Sequence, residues 1–307
     1  MRQSYSYYRL VNFIKLVVVI DLFLIATFVT LLTSFNKNRE DVIISHHDNM
    51  TRLSLISTCS FEADLRGPNQ SVISFSLYGD LSDAAISIRY IQPLRALTSN
   101  ISRIYPDWIV RIYHNFSTET GKELRKILDD SVNIDFCDVE RILRLRNIRR
   151  TVFPMTWRFL PLLDPLVDRF MSRDTDSELI LREIDAVRQW LNASDATFHA
   201  MRDHPWHCTT EILGGLWGAK VHQRRRDIGR VVEKLFQRSM PSFHGVDQLL
   251  LKFYVWPLAA KDSVIHDSYC CETFQFSLPF PTRRQDSSSF VGSVYTNQSL
   301  PSPECAP

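Results

Sequence analysis

The longest apolar run comes first. Leu10 to Leu32 reads LVNFIKLVVVIDLFLIATFVTLL, with Lys15 and Asp21 as its charged interruptions. That is about the length needed to cross a bilayer. Its seventeen Leu, Ile, Val and Phe residues contribute about −5 to −10 kcal/mol toward insertion, against roughly +3 kcal/mol for a central Asp. Lys15 can snorkel to the nearer interface. The pattern predicts a transmembrane helix over 10–33 behind a short tail, 1–9. Residues 34–69 hold few apolar runs and end at Gly67-Pro68, which suits a stem. From residue 70 the periodicity alternates. "VISFSLYGD" reads as a buried strand, Ala84 to Ile104 as an apolar-periodic stretch and "WIVRIYH" as a strand. "GKELRKILDD" reads as a helix, "VNIDFC" as a third strand, and Asp168 to Ser172 as the next. Ile180, Ile184, Val187 and Leu191 then recur at helical spacing, and "VDQLLLKFYVWP" is helical further on. Strand and helix in alternation predict an α/β domain over 70–296, a mostly parallel sheet flanked by helices, with ligands at the strand carboxyl ends. The polar residues 297–307 read as a tail.

Composition narrows the setting. The 307 residues are 45% hydrophobic and 23% charged, with a formal net charge of +2. That supports a substantial core and no nucleic-acid partner. Arg2 and Arg9 precede the span, whereas Lys37 and Arg39 after it are diluted by Glu40 and Asp41. The bias favours a cytosolic N-terminus. "LLTSFNKN" lacks a small-x-small cleavage site, so the segment reads as a signal anchor. The expected topology is single-pass type II in the Golgi or endoplasmic reticulum, with the domain lumenal. Six Asn-x-Ser/Thr sequons, at Asn49, Asn69, Asn100, Asn115, Asn192 and Asn297, all lie beyond the anchor, as glycosylation in a lumen requires. The six cysteines lie there too. Disulfides are expected, with the adjacent Cys270 and Cys271 going to different partners.

The chemistry concentrates in a few places. In "RDTDS", Asp174 and Asp176 stand one residue apart where a strand should end. If the strand geometry continued, they would share a face and repel unless a cation lay between them. The competing reading is a turn, with Thr175 and Glu178 as a capping box for the next helix. His199, His204, His207 and Cys208 crowd into "FHAMRDHPWHC". Pro205 breaks any regular helix there, and the spacing lacks a matching half for structural zinc, so a loop lining a site is the better reading. "ILGGLWGAK" permits a tight Gly-Gly loop but is not a G-x-G-x-x-G dinucleotide fingerprint. The basic run Arg141 to Arg150 reads as a solvated face.

Taken in order, "SFSLYGD", "YPDWIVRIYH", "MTWRFLPLLDP", "RDTDS", "MRDHPWH", "ILGGLWGAK", "HDSY" and "PFPTRR…FVG" resemble a group of glycosyltransferase-like proteins. Their expected fold is GT-A, that of nucleotide-diphospho-sugar transferases. The resemblance spans roughly residues 72–292. The motif order is also similar, more distantly, to glycogenin-like transferases. The resemblance implies that Asp174 and Asp176, with His266 as third ligand, hold Mn2+ or Mg2+ against the donor diphosphate. It implies that Ser76, Tyr78 and Gly79 receive the nucleotide and that Arg158 reaches the diphosphate or holds the Asp loop. Gly214, Gly215 and Trp217 would meet the acceptor, a glycan, glycoprotein or glycolipid. Asp247 and Gln248 would stand beside the reacting sugar carbon, with Asp203 as the alternative carboxylate, a general base for an inverting reaction. A silent sugar-binding relative of the same fold is the competing function. A metal-dependent hydrolase is disfavoured, because no second ligand set with two-metal spacing lies near Asp174.

Overall fold

The computed structural model describes residues 56–81, 83–128, 133–286 and 288–293. The expected anchor, most of the stem, the tail, and the sequons at Asn49 and Asn297 lie outside them.

Seven strands form one sheet: β1 (Gln70–Ser76), β2 (Trp108–His114), β3 (Ile134–Asp138), β4 (Val167–Ser172), β5 (Phe198–Arg202), β6 (Trp217–Ala219) and β7 (Ser263–Asp267). Their spatial order is β3-β2-β1-β4-β6-β5-β7. β6 runs antiparallel to both β4 and β5, and every other pairing is parallel. The protein is therefore mixed α/β with a mostly parallel sheet. Helices α1 (Phe61–Leu65), α2 (Gln92–Ile104), α3 (Thr118–Ile127), α4 (Val139–Leu145), α5 (Leu181–Asn192), α6 (Val221–Phe236), α7 (Val246–Leu250) and α8 (Trp256–Ala259) flank it.

Burial on both faces explains the near-continuous apolar strands. Within β1, Val72 joins a core with Tyr113, Phe159, Phe170, Trp217 and Leu235. Its neighbour Ile73 joins the opposite core with Leu94, Val110, Val187 and Trp190. Successive residues point to opposite sides of the sheet, so each face acquires its own apolar layer.

The packed unit begins earlier than the stem reading allowed, at Ile56 rather than residue 70. Its entry segment looks polar because its hydroxyls serve the interior. Ser57 Oγ donates to buried Asp164 at 2.5 Å, and Asp164 also receives Arg111 at 2.6 Å. Cys59 is joined to Cys137 at the end of β3, and Ala63 is fully buried. Cys208 pairs with Cys270, and Cys271 is disulfide-bonded as well. The expected disulfides are present, and Cys208 is thereby removed from any zinc set. Among the described residues no helix is long and apolar enough to cross a membrane.

Candidate functional site

β1 and β4 lie side by side, with Ser74 opposite Ser172, so the chain leaving each delivers its next residues to one edge. After β1 come Leu77, Tyr78 and Gly79. After β4 comes Arg173, whose N–H donates to Ser74 O at 3.1 Å, and then Asp174.

The Asp pair does not belong to a strand. β4 ends at Ser172, Thr175 and Asp176 form a turn, and α5 starts only at Leu181. The capping-box reading fails, because the N-cap of α5 is Ile180 and no side chain caps it. Shared strand alternation does not apply either. The two carboxylates are held by a turn, and each meets a different arginine.

Arg158 is the organiser. It sits in the 3-10 segment Pro154–Leu163, and its own N–H donates to Ser76 Oγ at 2.9 Å, which fastens it to the end of β1. One terminal nitrogen donates to Asp174, and the other donates to Asp247 Oδ2 at 2.7 Å. Burial works against its charge, but the two carboxylates outweigh that and raise its pKa. Asp247 is fully buried in α7, just past Gly245, whose φ of +87° turns the chain in. Gln248 beside it is half-buried. Arg158 Nε and Asp247 Oδ1 are buried with no hydrogen-bond partner among the described residues.

The Gly-Gly loop makes room for this cluster. A Cβ on Gly214 would overlap the Asp247 carboxylate and fall 2.6 Å from Arg158 Nη2; one on Gly215 would overlap the Asp174 carboxylate. The loop is tied down from below, since Ser172 Oγ donates to Gly214 O at 2.6 Å. Arg173, paired with buried Glu183 at 2.6 Å, donates to Gly215 O at 3.3 Å.

Asp176 is mostly buried. Its carboxyl pKa is raised, by burial first and then by Asp174. Arg89, 61% exposed, partly offsets this from 3.5 Å. Tyr78 leans edge-on against Trp157 with centroids 6.0 Å apart, and burial raises its hydroxyl pKa. Gly79 takes a φ of +103°, which only glycine adopts without strain. Ser76, Tyr78, Gly79, Arg158, Asp174, Asp176, Gly214, Gly215 and Asp247 thus share one edge of the sheet.

No family model matches the chain, and no curated protein sequence matches it. Two solved structures are similar in shape. One is the 4-diphosphocytidyl-2C-methyl-D-erythritol synthase from Anaerococcus prevotii, with a TM-score of 0.39, 12% identity, and coverage of 64% of this chain and 86% of that one. The other is a mannosyltransferase from Pyrobaculum calidifontis in complex with GDP-Man and Mn2+, with a TM-score of 0.38, 10% identity, and coverage of 72% of this chain and 61% of that one.

Three expected site residues have other work. His266 Nδ1 is hydrogen-bonded to His199 Nε2 at 2.9 Å, and its Nε2 to Gln189 Oε1 at 3.1 Å. With both ring nitrogens committed inside the core, it has no lone pair left to serve as third metal ligand. Burial, with Arg182 adding to it, lowers its pKa to about 4. Among the described residues no group of three His, Cys, Asp or Glu is arranged to hold a metal. Asp203 is fully buried and receives Arg182 at 3.1 Å, Arg284 at 2.8 Å, the Val291 N–H at 2.9 Å and Ser268 Oγ. Its oxygens are taken up by this knot, which leaves none for a general base. Trp217, 1% exposed, packs edge-on against Phe170 and Phe159 at 5.0 and 5.5 Å. It offers no face to an acceptor.

Arg89, Arg173 and Glu183 were not read from the sequence as site residues. Arg173 adjoins the Asp motif, which is a signal of sorts. Arg89 reaches Asp176 from a helical segment distant in sequence, and no local pattern announces that.

Proposed function

We propose that the protein is a glycosyltransferase with a GT-A-like fold that moves a sugar from a nucleotide-diphospho-sugar donor to a glycan, glycoprotein or glycolipid acceptor. The observation that supports this most is the Arg158 cluster. One buried guanidinium joins Asp174 to Asp247 at the carboxyl edge of the sheet, and two glycines leave the space both carboxylates need. In this reading Ser76, Tyr78 and Gly79 receive the nucleoside, and Arg158 holds the Asp174 loop. Asp247 and Gln248 face the transferred sugar. Gly214 and Gly215 border the place where donor and acceptor meet.

The residues suit a divalent cation. Asp174, with 43% of its side chain exposed, and Asp176 supply hard oxygen donors of the kind that bind Mg2+ or Mn2+ together with substrate phosphates. The raised pKa of Asp176 marks a carboxylate that gains from a nearby cation. Such an ion, when bound, stabilises charge developing on the leaving diphosphate. The remaining work falls to the chain. Arg158 neutralises Asp247 and restrains Asp174, and the paired Arg173 and Glu183 keep the loop beneath them from shifting.

The setting follows the sequence. An anchor over 10–33 would make this a type II protein of the Golgi or endoplasmic reticulum with the domain in the lumen. Exposed Asn69, Asn115 and Asn192 suit glycosylation there, as do the disulfides.

A second reading, a nucleotide-sugar- or glycan-binding relative without catalysis, has one observation in its favour. Both Asp carboxylates already carry an arginine partner, Arg158 and Arg89. Donor hydrolysis by the purified full-length protein, across a panel of nucleotide sugars with and without Mn2+, separates the two. Metal-dependent turnover of one donor that Asp174→Asn abolishes supports the enzyme. Binding without turnover supports the silent relative.

A further inference from the structure

The strand that delivers Asp203 continues into a 3-10 turn, Pro205–Thr209, and this turn carries Trp206 with 74% of its surface exposed. Single exposed apolar residues are ordinary on a protein surface. The turn that presents this one has its backbone tied down at several points. The backbone N–H of Trp206 donates to His204 Nδ1 at 3.1 Å, and its backbone carbonyl accepts from Thr209 Oγ1 at 3.0 Å. One residue on, His207 Nδ1 accepts from Asp203 N–H at 3.1 Å. The next residue, Cys208, is bonded to Cys270. Both flanking histidine rings pack on Phe290, with centroids 4.7 and 5.9 Å away. The indole meets the ring of His204 at 70°, so it is not stacked on its neighbour. The indole N–H has no partner among the described residues.

The turn also stands beside the carboxylate cluster. His207 lies close enough to Asp174 for that charge to act on it. Phe290 and the residues after it reach back to the Asp loop, with Ser177 Oγ donating to Gly292 O at 3.5 Å.

We propose that Trp206, presented on a tied-down turn, is a stacking platform for a pyranose ring of the acceptor, a binding residue that takes the place Trp217 cannot fill. The proposal rests on the glycosyltransferase reading, because it assigns the acceptor side of that same site. A sugar ring presents C–H groups on one face and hydroxyls at its rim. An exposed indole with a free N–H answers both, and only two side-chain torsions have to be fixed on binding. A protein partner would need a contiguous apolar patch. Within the turn and its cap, His204 is buried and Thr209 is polar, so the turn itself carries no second exposed apolar side chain.

The test uses the full-length protein with three probes: methyl glycosides of galactose, mannose and N-acetylglucosamine. Saturation-transfer NMR should show at least one of them receiving magnetisation on its ring C–H protons. Trp206→Ala should reduce that signal about fivefold or more, and Trp206→Phe should restore much of it. Equal signals in wild type and Trp206→Ala, or no signal from any glycoside with wild type, overturn the platform. Binding of UDP and GDP with Mn2+ is measured on the same samples. If nucleotide binding is absent while the Trp206-dependent glycoside signal persists, the transferase reading falls and the platform stands. If nucleotide binding is present and the glycoside signal ignores Trp206, the reverse holds.

Discussion

Arg158 donates to Asp247 Oδ2 at 2.7 Å, across 89 residues of sequence, while its other terminal nitrogen holds Asp174. A buried guanidinium between two carboxylates is costly to expose on one side. Removing a partner leaves a charge in low dielectric, typically worth about 3–5 kcal/mol. The cluster therefore fixes the relative position of the loops after β4 and before α7.

The glycine pair gives the first test. Gly215→Ala should weaken nucleotide diphosphate binding, because its Cβ would displace the Asp174 carboxylate. Gly214→Ala should also cost stability, about 1–3 kcal/mol as overpacking, since Asp247 and Arg158 are buried and cannot yield. Gly229 lies in α6, where an added Cβ would meet nothing within 4 Å. Gly229→Ala should therefore be neutral or stabilising by up to about 1 kcal/mol. Denaturant unfolding of the three variants checks the ordering.

Asp203 is predicted to be structural. Asp203→Asn should destabilise the protein by roughly 3 kcal/mol, because it uncouples Arg182 and Arg284 from their shared partner. Urea unfolding reads this directly. Unchanged stability with transfer alone abolished would restore the general-base role.

Stability should fall on mild acidification. His266 and His207 have folded pKa values lowered to about 4, below the ordinary value near 6.5. The unfolded chain therefore takes up protons first as pH drops. Their contribution is full above about pH 6.5 and declines toward about pH 4. At pH 5 the loss is on the order of 2 kcal/mol for a fully buried group. Melting temperatures at pH 7.5 and 5 should differ, and His266→Gln should shrink the difference.

Much of the fold was legible because burial leaves a mark on composition. "WIVRIYH" coincides with β2, a strand buried on both faces. β6 was hidden, since Trp217–Ala219 is three residues long with a glycine at its centre. That glycine is needed in the strand, as a Cβ on Gly218 would lie 2.7 Å from Phe170 O, yet in sequence it reads as loop. The site was legible as residue types and only partly as roles. Asp174, Asp247 and Arg158 do converge. His266 and Asp203 were indistinguishable from ligand and base because sequence does not record which lone pairs are already taken. The entry segment 56–69 looked like stem because its polar groups are satisfied by Asp164, a partner more than a hundred residues away.

In the proposed function, Asp174 and Asp176 bind a divalent cation which a nucleotide diphosphate completes. Calorimetry of UDP and GDP with Mn2+ on wild type, Asp174→Asn and Asp176→Asn decides whether they do. Each substitution keeps the shape and removes a charge. Binding to wild type should require Mn2+, and both variants should bind about tenfold more weakly or worse, the loss expected when a charged contact is removed. Equal affinities in the three proteins, or binding indifferent to Mn2+, would rule out a metal site at this Asp pair.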